Sequence, residues 1–116
     1  MAVSLSDMQA LHLWRLAVLA GVRRDTPDLS ARQMAVLLTV YLTPPPHTVR
    51  GLAALLNVSK PAITRALDRL SELEMIRRKA DEADRRNVLI ARTIKGSVFL
   101  RDWGGIVSGV AEGVPA

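Results

Sequence analysis

Cysteine is absent from the 116 residues, which excludes disulfide bonds, thiolate metal sites, cysteine nucleophiles and thiol-based redox sensing. The opening residues carry no basic segment, so we expect no signal peptide. The most apolar runs, Leu16–Val22 and Met34–Leu42, are far shorter than the ~20 residues that cross a bilayer. Together these absences predict a cytoplasmic protein that does not enter a membrane.

Histidine is scarce: His12 and His47 are the only two, and they lie far apart in the sequence. Neither has a carboxylate and a nucleophile nearby, so we interpret both as structural residues. No glycine-rich phosphate loop follows a predicted strand, which argues against nucleotide hydrolysis. We therefore expect no enzymatic activity, no metal and no other cofactor.

Positive charge is concentrated in one part of the chain. The sequence has 16 Lys/Arg and 11 Asp/Glu, a net charge of +5, and 11 of these cations but only 6 of the acids lie in residues 48–95. The remaining residues are neutral in sum. A positive field confined to one module is expected of a phosphate-binding surface. A membrane-surface protein would instead need a basic amphipathic helix with a broad apolar face.

The stretch 48–73 predicts two helices joined by a tight turn, a helix-turn-helix. Thr48 and Ser59 are suitable N-cap residues, because a hydroxyl can accept from an unpaired backbone N–H. Asn57 tolerates the left-handed backbone that ends a helix, and Pro61 fits the first turn of the next one. The first helix is expected to bury Leu52, Leu55 and Leu56.

The second of these helices has two distinct faces. Its core face is predicted to hold Ile63, Ala66, Leu67 and Leu70. The opposite face holds Pro61, Thr64, Arg65 and Asp68, with Lys60 and Arg69 on the flanks. The cations come early and the acids late, so only the N-terminal half suits a major groove of DNA. The alternative is a solvated amphipathic helix in a small bundle.

A basic β-hairpin is predicted directly after the helix-turn-helix. Residues 75–79 and 87–93 have strand composition, and the polar loop between them is typical of a hairpin tip. We interpret this hairpin as a wing whose arginines reach the sugar-phosphate backbone or a narrow minor groove. Alternatively, Arg85 or Arg86 pairs in solvent with the acids of the loop, an interaction worth only ~0–1 kcal/mol. Those acids are Asp81, Glu82 and Asp84.

Capped helices are predicted around this module. Ser6–Gln9 and Ser30–Gln33 are both capping boxes, and the run Pro44–Pro46 ends the second helix as a stiff connector or a polyproline ligand segment. The first helix is apolar on both sides, so we expect a second protomer to cover one of them. The last helix carries an apolar stripe and several glycines. The glycines either permit close approach of a partner helix or indicate a frayed end.

Several of these motifs occur in the order found in a known family. Leu29-Ser30 with Gln33 is followed by LAALLNVSKPAITRALDRL and then by Asp84-Arg85-Arg86 and VLIARTIKG. Over about residues 28–100 the chain resembles the MarR family of winged-helix regulators. The resemblance implies a homodimer with intertwined terminal helices, a recognition helix in the major groove and a wing-tip arginine in the minor groove. It also implies that Asp84 braces the wing loop and that Arg85, with Arg86 beside it, is the wing arginine.

The chain departs from that family in its short, glycine-rich C-terminal arm. Many members bind small aromatic ligands, but the corresponding region here has few polar anchors, so we predict no effector. We expect one domain, 1–116, of mainly α class with a small antiparallel hairpin. It comprises an N-terminal dimerisation helix (6–24), a winged helix-turn-helix (30–93) and a C-terminal helix (94–112).

The expected function is that of a homodimeric, sequence-specific transcriptional regulator of double-stranded DNA, with recognition helix 59–73 and wing 80–87. The alternative is a protein–protein interaction module that uses its apolar terminal helices. The predicted DNA-binding residues are Thr48, Arg50, Ser59, Lys60, Pro61, Ala62, Thr64, Arg65, Arg69, Arg78, Lys79, Arg85 and Arg86. The predicted dimer-interface residues are Leu11, Trp14, Val18, Val22, Phe99, Trp103, Ile106 and Val110.

Overall fold

The computed structural model describes residues 2–116, which form five helices and a two-stranded antiparallel sheet. The mainly α fold class with a hairpin is confirmed. The described residues contain no helix long and apolar enough to span a bilayer. The elements are α1 (Asp7–Arg23), α2 (Ala31–Leu42), α3 (Val49–Leu56), α4 (Lys60–Glu72), β1 (Ile76–Ala80), β2 (Val88–Arg92) and α5 (Ile94–Ala111).

The chain divides into two compact units. One consists of the residues up to Asp28 together with Arg101–Ala116, and the other is Leu29–Leu100. The second unit contains α2, α3, α4 and the hairpin, and the first two turns of α5. The predicted DNA-binding residues therefore all lie in the second unit.

The predicted caps at the starts of α1 and α2 are confirmed. Ser6 Oγ accepts from Gln9 N at 3.1 Å, while the Gln9 side chain accepts from Ser6 N at 3.0 Å. Ser30 and Gln33 repeat this reciprocal arrangement at 3.1 and 2.9 Å. Each box satisfies two N–H groups that the helix itself leaves without partners.

The helix-turn-helix is also confirmed. Thr48 Oγ1 accepts from Gly51 N at 3.0 Å, and Ser59 Oγ accepts from Ala62 N at 3.2 Å. Between the two helices Asn57 takes the left-handed conformation, with φ 56° and ψ 47°. A short polar side chain tolerates this region better than a branched one does. The turn therefore needs no glycine.

The core of the second unit is built around α4. The side chains of Ile63, Leu67 and Leu70 have no exposed surface, and α4 packs against α2, α3 and β1. The predicted core face of α4 is confirmed. Other members of the core are Val36, Leu37, Val40, Leu52, Ala53, Ala66, Met75, Ile76, Ile90 and Phe99.

Two predictions about apolar residues are wrong. Leu55 is 65% exposed, because α3 turns Leu52 and Ala53 into the core instead. Phe99 was expected at a dimer interface but is only 8% exposed and packs into the core of its own chain. The first turns of α5 thus belong to the second unit, and Phe99 is already covered without a partner protomer.

The hairpin pairs Ile76 with Arg92 at one end and Ala80 with Val88 at the other. The strands lie within one or two residues of the predicted ranges. A second, very short pairing attaches the segment before α3 to β2, and it was not predicted from the sequence. Thr48 bridges Leu89, and Ile90 N donates to His47 O at 2.9 Å. The hairpin is therefore attached by backbone hydrogen bonds to the start of the helix-turn-helix.

A hydroxyl group joins three segments at the base of the hairpin. Tyr41 Oη donates to Met75 O at 2.6 Å and accepts from Thr93 N at 2.8 Å. Thr93 Oγ1 in turn donates to Glu74 O and accepts from Gly96 N in the first turn of α5. Gly96 is buried against this junction, where a Cβ atom would collide with the Tyr41 hydroxyl and the Met75 carbonyl oxygen.

In the first unit, α1 and the C-terminal part of α5 are in contact. The Trp103 ring lies so close to Gly21 that a Cβ there would come within 3.0 Å of it, and the Arg24 guanidinium lies 5.7 Å from the ring centroid. Trp103, Ile106 and Val110 are half-buried. Five large apolar residues on one side of α1 remain exposed, Trp14 by 70%. The five are Met8, Leu11, Trp14, Val18 and Val22.

Two glycines of α5 should respond to alanine in opposite directions. Gly96→Ala should lower the free energy of unfolding by about 1–3 kcal/mol, because the new methyl group has no space beside Tyr41. Gly104→Ala should raise it by up to about 1 kcal/mol, since no atom lies within 4 Å of the added Cβ and alanine favours a helix. Urea denaturation at one fixed protein concentration measures both. Shifts of the same sign would contradict the packing described for α5.

Candidate nucleic-acid interface

The exposed face of α4 has the composition predicted for it. Lys60, Pro61, Thr64 and Arg65 are all exposed, and they belong to the first two turns of the helix. The spacing i, i+3, i+4 places Pro61, Thr64 and Arg65 on one side. No acidic residue is present in the first turn. The N-terminal half of α4 thus presents donors and positive charge, with no carboxylate among them.

Ala62 has to be removed from the predicted contact residues. Its side chain is only 5% exposed and lies next to Ile63 on the covered side of α4. A methyl group packed against the protein cannot also reach a base edge. Ser59 remains exposed, but its hydroxyl already accepts from the Ala62 amide as the helix cap.

The wing loop is held by an aspartate, as the family resemblance implied. Asp84 Oδ1 accepts from Arg86 N and from Arg86 Nε, both at 3.1 Å, and Asp84 Oδ2 accepts from Arg86 Nη2 at 3.2 Å. Hydrogen bonds from the Arg86 side chain, and then from its backbone amide, hold the pKa of Asp84 below its ordinary value. The positive charge of Arg50 lowers this pKa further.

The two wing arginines differ in their surroundings. Arg86 forms the solvent-exposed pair with Asp84 that was considered as an alternative. Arg85 is exposed and, among residues 2–116, has no hydrogen-bond or ion-pair partner. Arg85 is thus the wing cation whose charge no carboxylate neutralises at short range.

Arg78 connects the hairpin to α4. Its Nη2 donates to Asp68 Oδ1 at 2.6 Å and to Thr64 O at 3.3 Å. Thr64 and Asp68 are one helical turn apart on the exposed face of α4. Arg78, which was predicted to bind DNA, is therefore already occupied by the recognition helix.

The other predicted contact residues are distributed more widely. Lys79 is paired with Leu89 in the sheet, and because side chains alternate along a strand it lies on the opposite face of the hairpin from Arg78. There it lines a cavity of about 390 Å³ with Pro45 and Pro46. Arg69 is half-buried, with a loose ion pair to Glu72 at 3.8 Å. Thr48 serves as a helix cap.

Two cationic surfaces lie within the second unit. The first is the N-terminal half of α4, and the second is the wing tip at Arg85. Phosphate groups bind such surfaces through charge-assisted hydrogen bonds. The pairing of Asp68 with Arg78 was not predicted from the sequence. Opposite charges at positions 68 and 78 were visible, but only the packing of β1 against α4 brings them together.

Known proteins resemble the chain in both sequence and fold. A family model described as the MarR family matches residues 29–88. The crystal structure of MarR is similar over 89% of this chain and 74% of its own, with 27% identity and a TM-score of 0.70. BldR from Sulfolobus solfataricus is 26% identical over 84% of this chain and 67% of its own, with a TM-score of 0.65.

The MepR–DNA complex of S. aureus superimposes with a TM-score of 0.74 over 87% of this chain and 81% of its own, at 20% identity. At that identity the likeness concerns the fold, and the fold is a winged helix-turn-helix with flanking terminal helices. The sequence match to the family model extends over slightly more than half of the 116 residues. The chain belongs to the MarR family.

Proposed function

We propose that the protein is a transcriptional regulator that binds double-stranded DNA as a homodimer. In this proposal α4 enters the major groove by its N-terminal half, and the wing lies at the minor groove. The observation that carries the proposal is the exposed, acid-free first half of α4, whose other side is fixed in the core. The relative from S. aureus whose structure contains DNA supports the same use of the fold.

The order of charges along α4 determines how the helix can dock. Lys60 and Arg65 precede Asp68 and Glu72, so a helix lying flat in the groove would press both carboxylates against phosphates. Insertion of the N-terminal half keeps them outside, and recognition helices usually dock in this way. Arg65 is the residue best suited to a bidentate contact with guanine. Thr64 and Pro61 offer hydroxyl and apolar contacts beside it.

The wing contributes a second attachment. The Asp84–Arg86 brace shapes the loop, so the unpaired Arg85 is presented on a structured tip. An arginine in this position can enter a narrow minor groove or bind the backbone. Together with Lys60, Arg50 and Arg65 it gives each protomer ~3–5 phosphate or groove contacts, so affinity should fall steeply with salt.

The terminal helices are proposed to form the dimer. Helix 6–24 exposes five large apolar residues on one side, and contact of such a surface with water is unfavourable. The C-terminal helix 94–112 contributes from Trp103 onward, because Phe99 is already buried. Residues 30–93 then act as the DNA-binding part of each protomer. The proposal places this function in the cytoplasm and includes no catalytic step.

Replacing Arg65 should distinguish base-specific contacts with DNA from sequence-independent electrostatic binding. Arg65→Ala should weaken binding to the preferred site by about 1–3 kcal/mol and flatten the discrimination between sites, as the loss of a base-edge contact does. The preferred site is first obtained by selection from random DNA, and affinities are measured by gel-shift titration. Arg32→Ala, which removes the same charge from an exposed position of α2, is the matched control.

Arg85→Ala provides the corresponding test of the wing. It should weaken binding evenly across sequences unless the site contains a narrow A·T tract. If Arg65→Ala and Arg85→Ala both bind as the parent does, these roles are wrong. If the parent binds a protein more strongly than any DNA, and that complex persists in concentrated salt, the interaction-module alternative is correct.

The dimer has its own test in solution. Trp14→Glu should convert the protein into a monomer at tens of micromolar, because it places a charge in the apolar side of α1. Leu42→Glu removes an equally exposed apolar residue from α2 and should leave the dimer intact. Sedimentation velocity distinguishes the two states. A monomeric parent protein under these conditions would contradict the proposed assembly.

A further inference from the structure

The ion pair between Arg78 and Asp68 connects the two parts that are proposed to contact DNA. Arg78 lies on β1, the strand that leads directly into the wing loop, and Asp68 lies on the exposed face of α4. One guanidinium nitrogen, Nη2, reaches both the carboxylate of Asp68 and the carbonyl of Thr64. The contact therefore spans the helical turn that holds the proposed reading residues Thr64 and Arg65.

This pair contributes little to stability. The two side chains are 33% and 54% exposed, and ion pairs in such surroundings are weakened by water and salt. Within the described residues, however, it is the ion pair that joins α4 to the hairpin. Its main physical consequence is geometric, because it limits how far β1 and the following loop can swing relative to α4.

The pair also removes one cation from the surface available to phosphates. At 2.6 Å from Asp68, the charge of Arg78 is balanced locally by the carboxylate. A phosphate would have to displace that carboxylate, which is held on a rigid helix. Arg78 therefore differs from Arg85, which has no such neighbour.

We propose that Arg78 is a positioning residue and that Asp68 is a determinant of DNA selectivity. Their contact favours one angle between the recognition helix and the wing, so a duplex of matching groove spacing is bound more tightly than other duplexes. By neutralising Arg78, Asp68 also suppresses sequence-independent attraction to DNA. This inference rests on the proposed function, since it assumes that α4 and the wing bind one duplex.

Salt titrations of three variants test the inference. Affinities for the selected site and for a random duplex are measured over a range of salt concentrations. Arg78→Gln should leave the salt dependence of binding unchanged and lower the ratio of specific to random affinity by up to about fivefold, the limit set by an exposed ion pair. Asp68→Asn should steepen the slope of log K against log salt by about 0.9 per protomer, because Arg78 becomes available to a phosphate. It should lower the same affinity ratio.

Arg77→Gln is the matched control, since it removes an equal charge from the neighbouring strand residue on the opposite face. Its affinity ratio should equal that of the parent. Thermal unfolding midpoints within a few degrees of the parent would separate positioning from loss of the fold. Asp68→Asn and Arg78→Gln alter the contact from its two ends, so either variant alone can test the contact if the other does not fold.

The possible failures can be told apart. If Arg78→Gln makes the salt slope shallower by about 0.9 per protomer and leaves the affinity ratio unchanged, Arg78 is an ordinary phosphate contact and the inference is wrong. An unchanged slope and ratio in Asp68→Asn would also overturn it. If the parent protein itself shows no salt-dependent DNA binding, the proposed function has failed, not merely this inference.

Discussion

The complete burial of Ile63, Leu67 and Leu70 is the constraint on which the DNA-facing surface depends. Each of these side chains contributes about 1.5–3 kcal/mol through removal of its apolar surface from water. Together they fix the rotation of α4 about its own axis. Since side chains repeat every 3.6 residues, this rotation also decides that Thr64 and Arg65 face outward. The reading face is therefore a consequence of the core and requires no separate stabilisation.

Three contacts of different kinds hold the wing in position. At its base, the Tyr41 hydroxyl joins Met75 to Thr93 through two short hydrogen bonds. Along β1, Arg78 forms a charged contact with α4. At the tip, the exposed pair between Asp84 and Arg86 shapes the loop. The connections become more dependent on salt toward the tip, because exposed charge pairs are screened more than the partly buried hydrogen bonds at the base.

Features determined within a few residues could be predicted from the sequence. The caps at Ser6 and Ser30 and the turn at Asn57 depend on contacts within one helical turn, and the two faces of α4 follow from its periodicity. The errors concern residues whose neighbours are distant in sequence. Phe99 continues the apolar stripe of α5, but the surface covering that stripe changes along the helix. In α3, packing turns the small Ala53 inward beside Leu52 and leaves the large Leu55 exposed, a choice that periodicity does not make. Ala62 is an exception, because it lies four residues before Ala66 and its burial follows from the periodicity of α4.

The division of the sequence into a neutral part and a basic part has a physical consequence for the complete regulator. The side of α1 that carries Trp14 is apolar, and burial of such a surface is strengthened by kosmotropic salts. The surface formed by Lys60, Arg65 and Arg85 attracts phosphates, and salt weakens that attraction. A change in ionic conditions thus acts on assembly and on DNA binding in opposite directions. In the proposed assembly the dimer interface carries none of the charges proposed to hold DNA, so a protomer pair that leaves a site remains assembled.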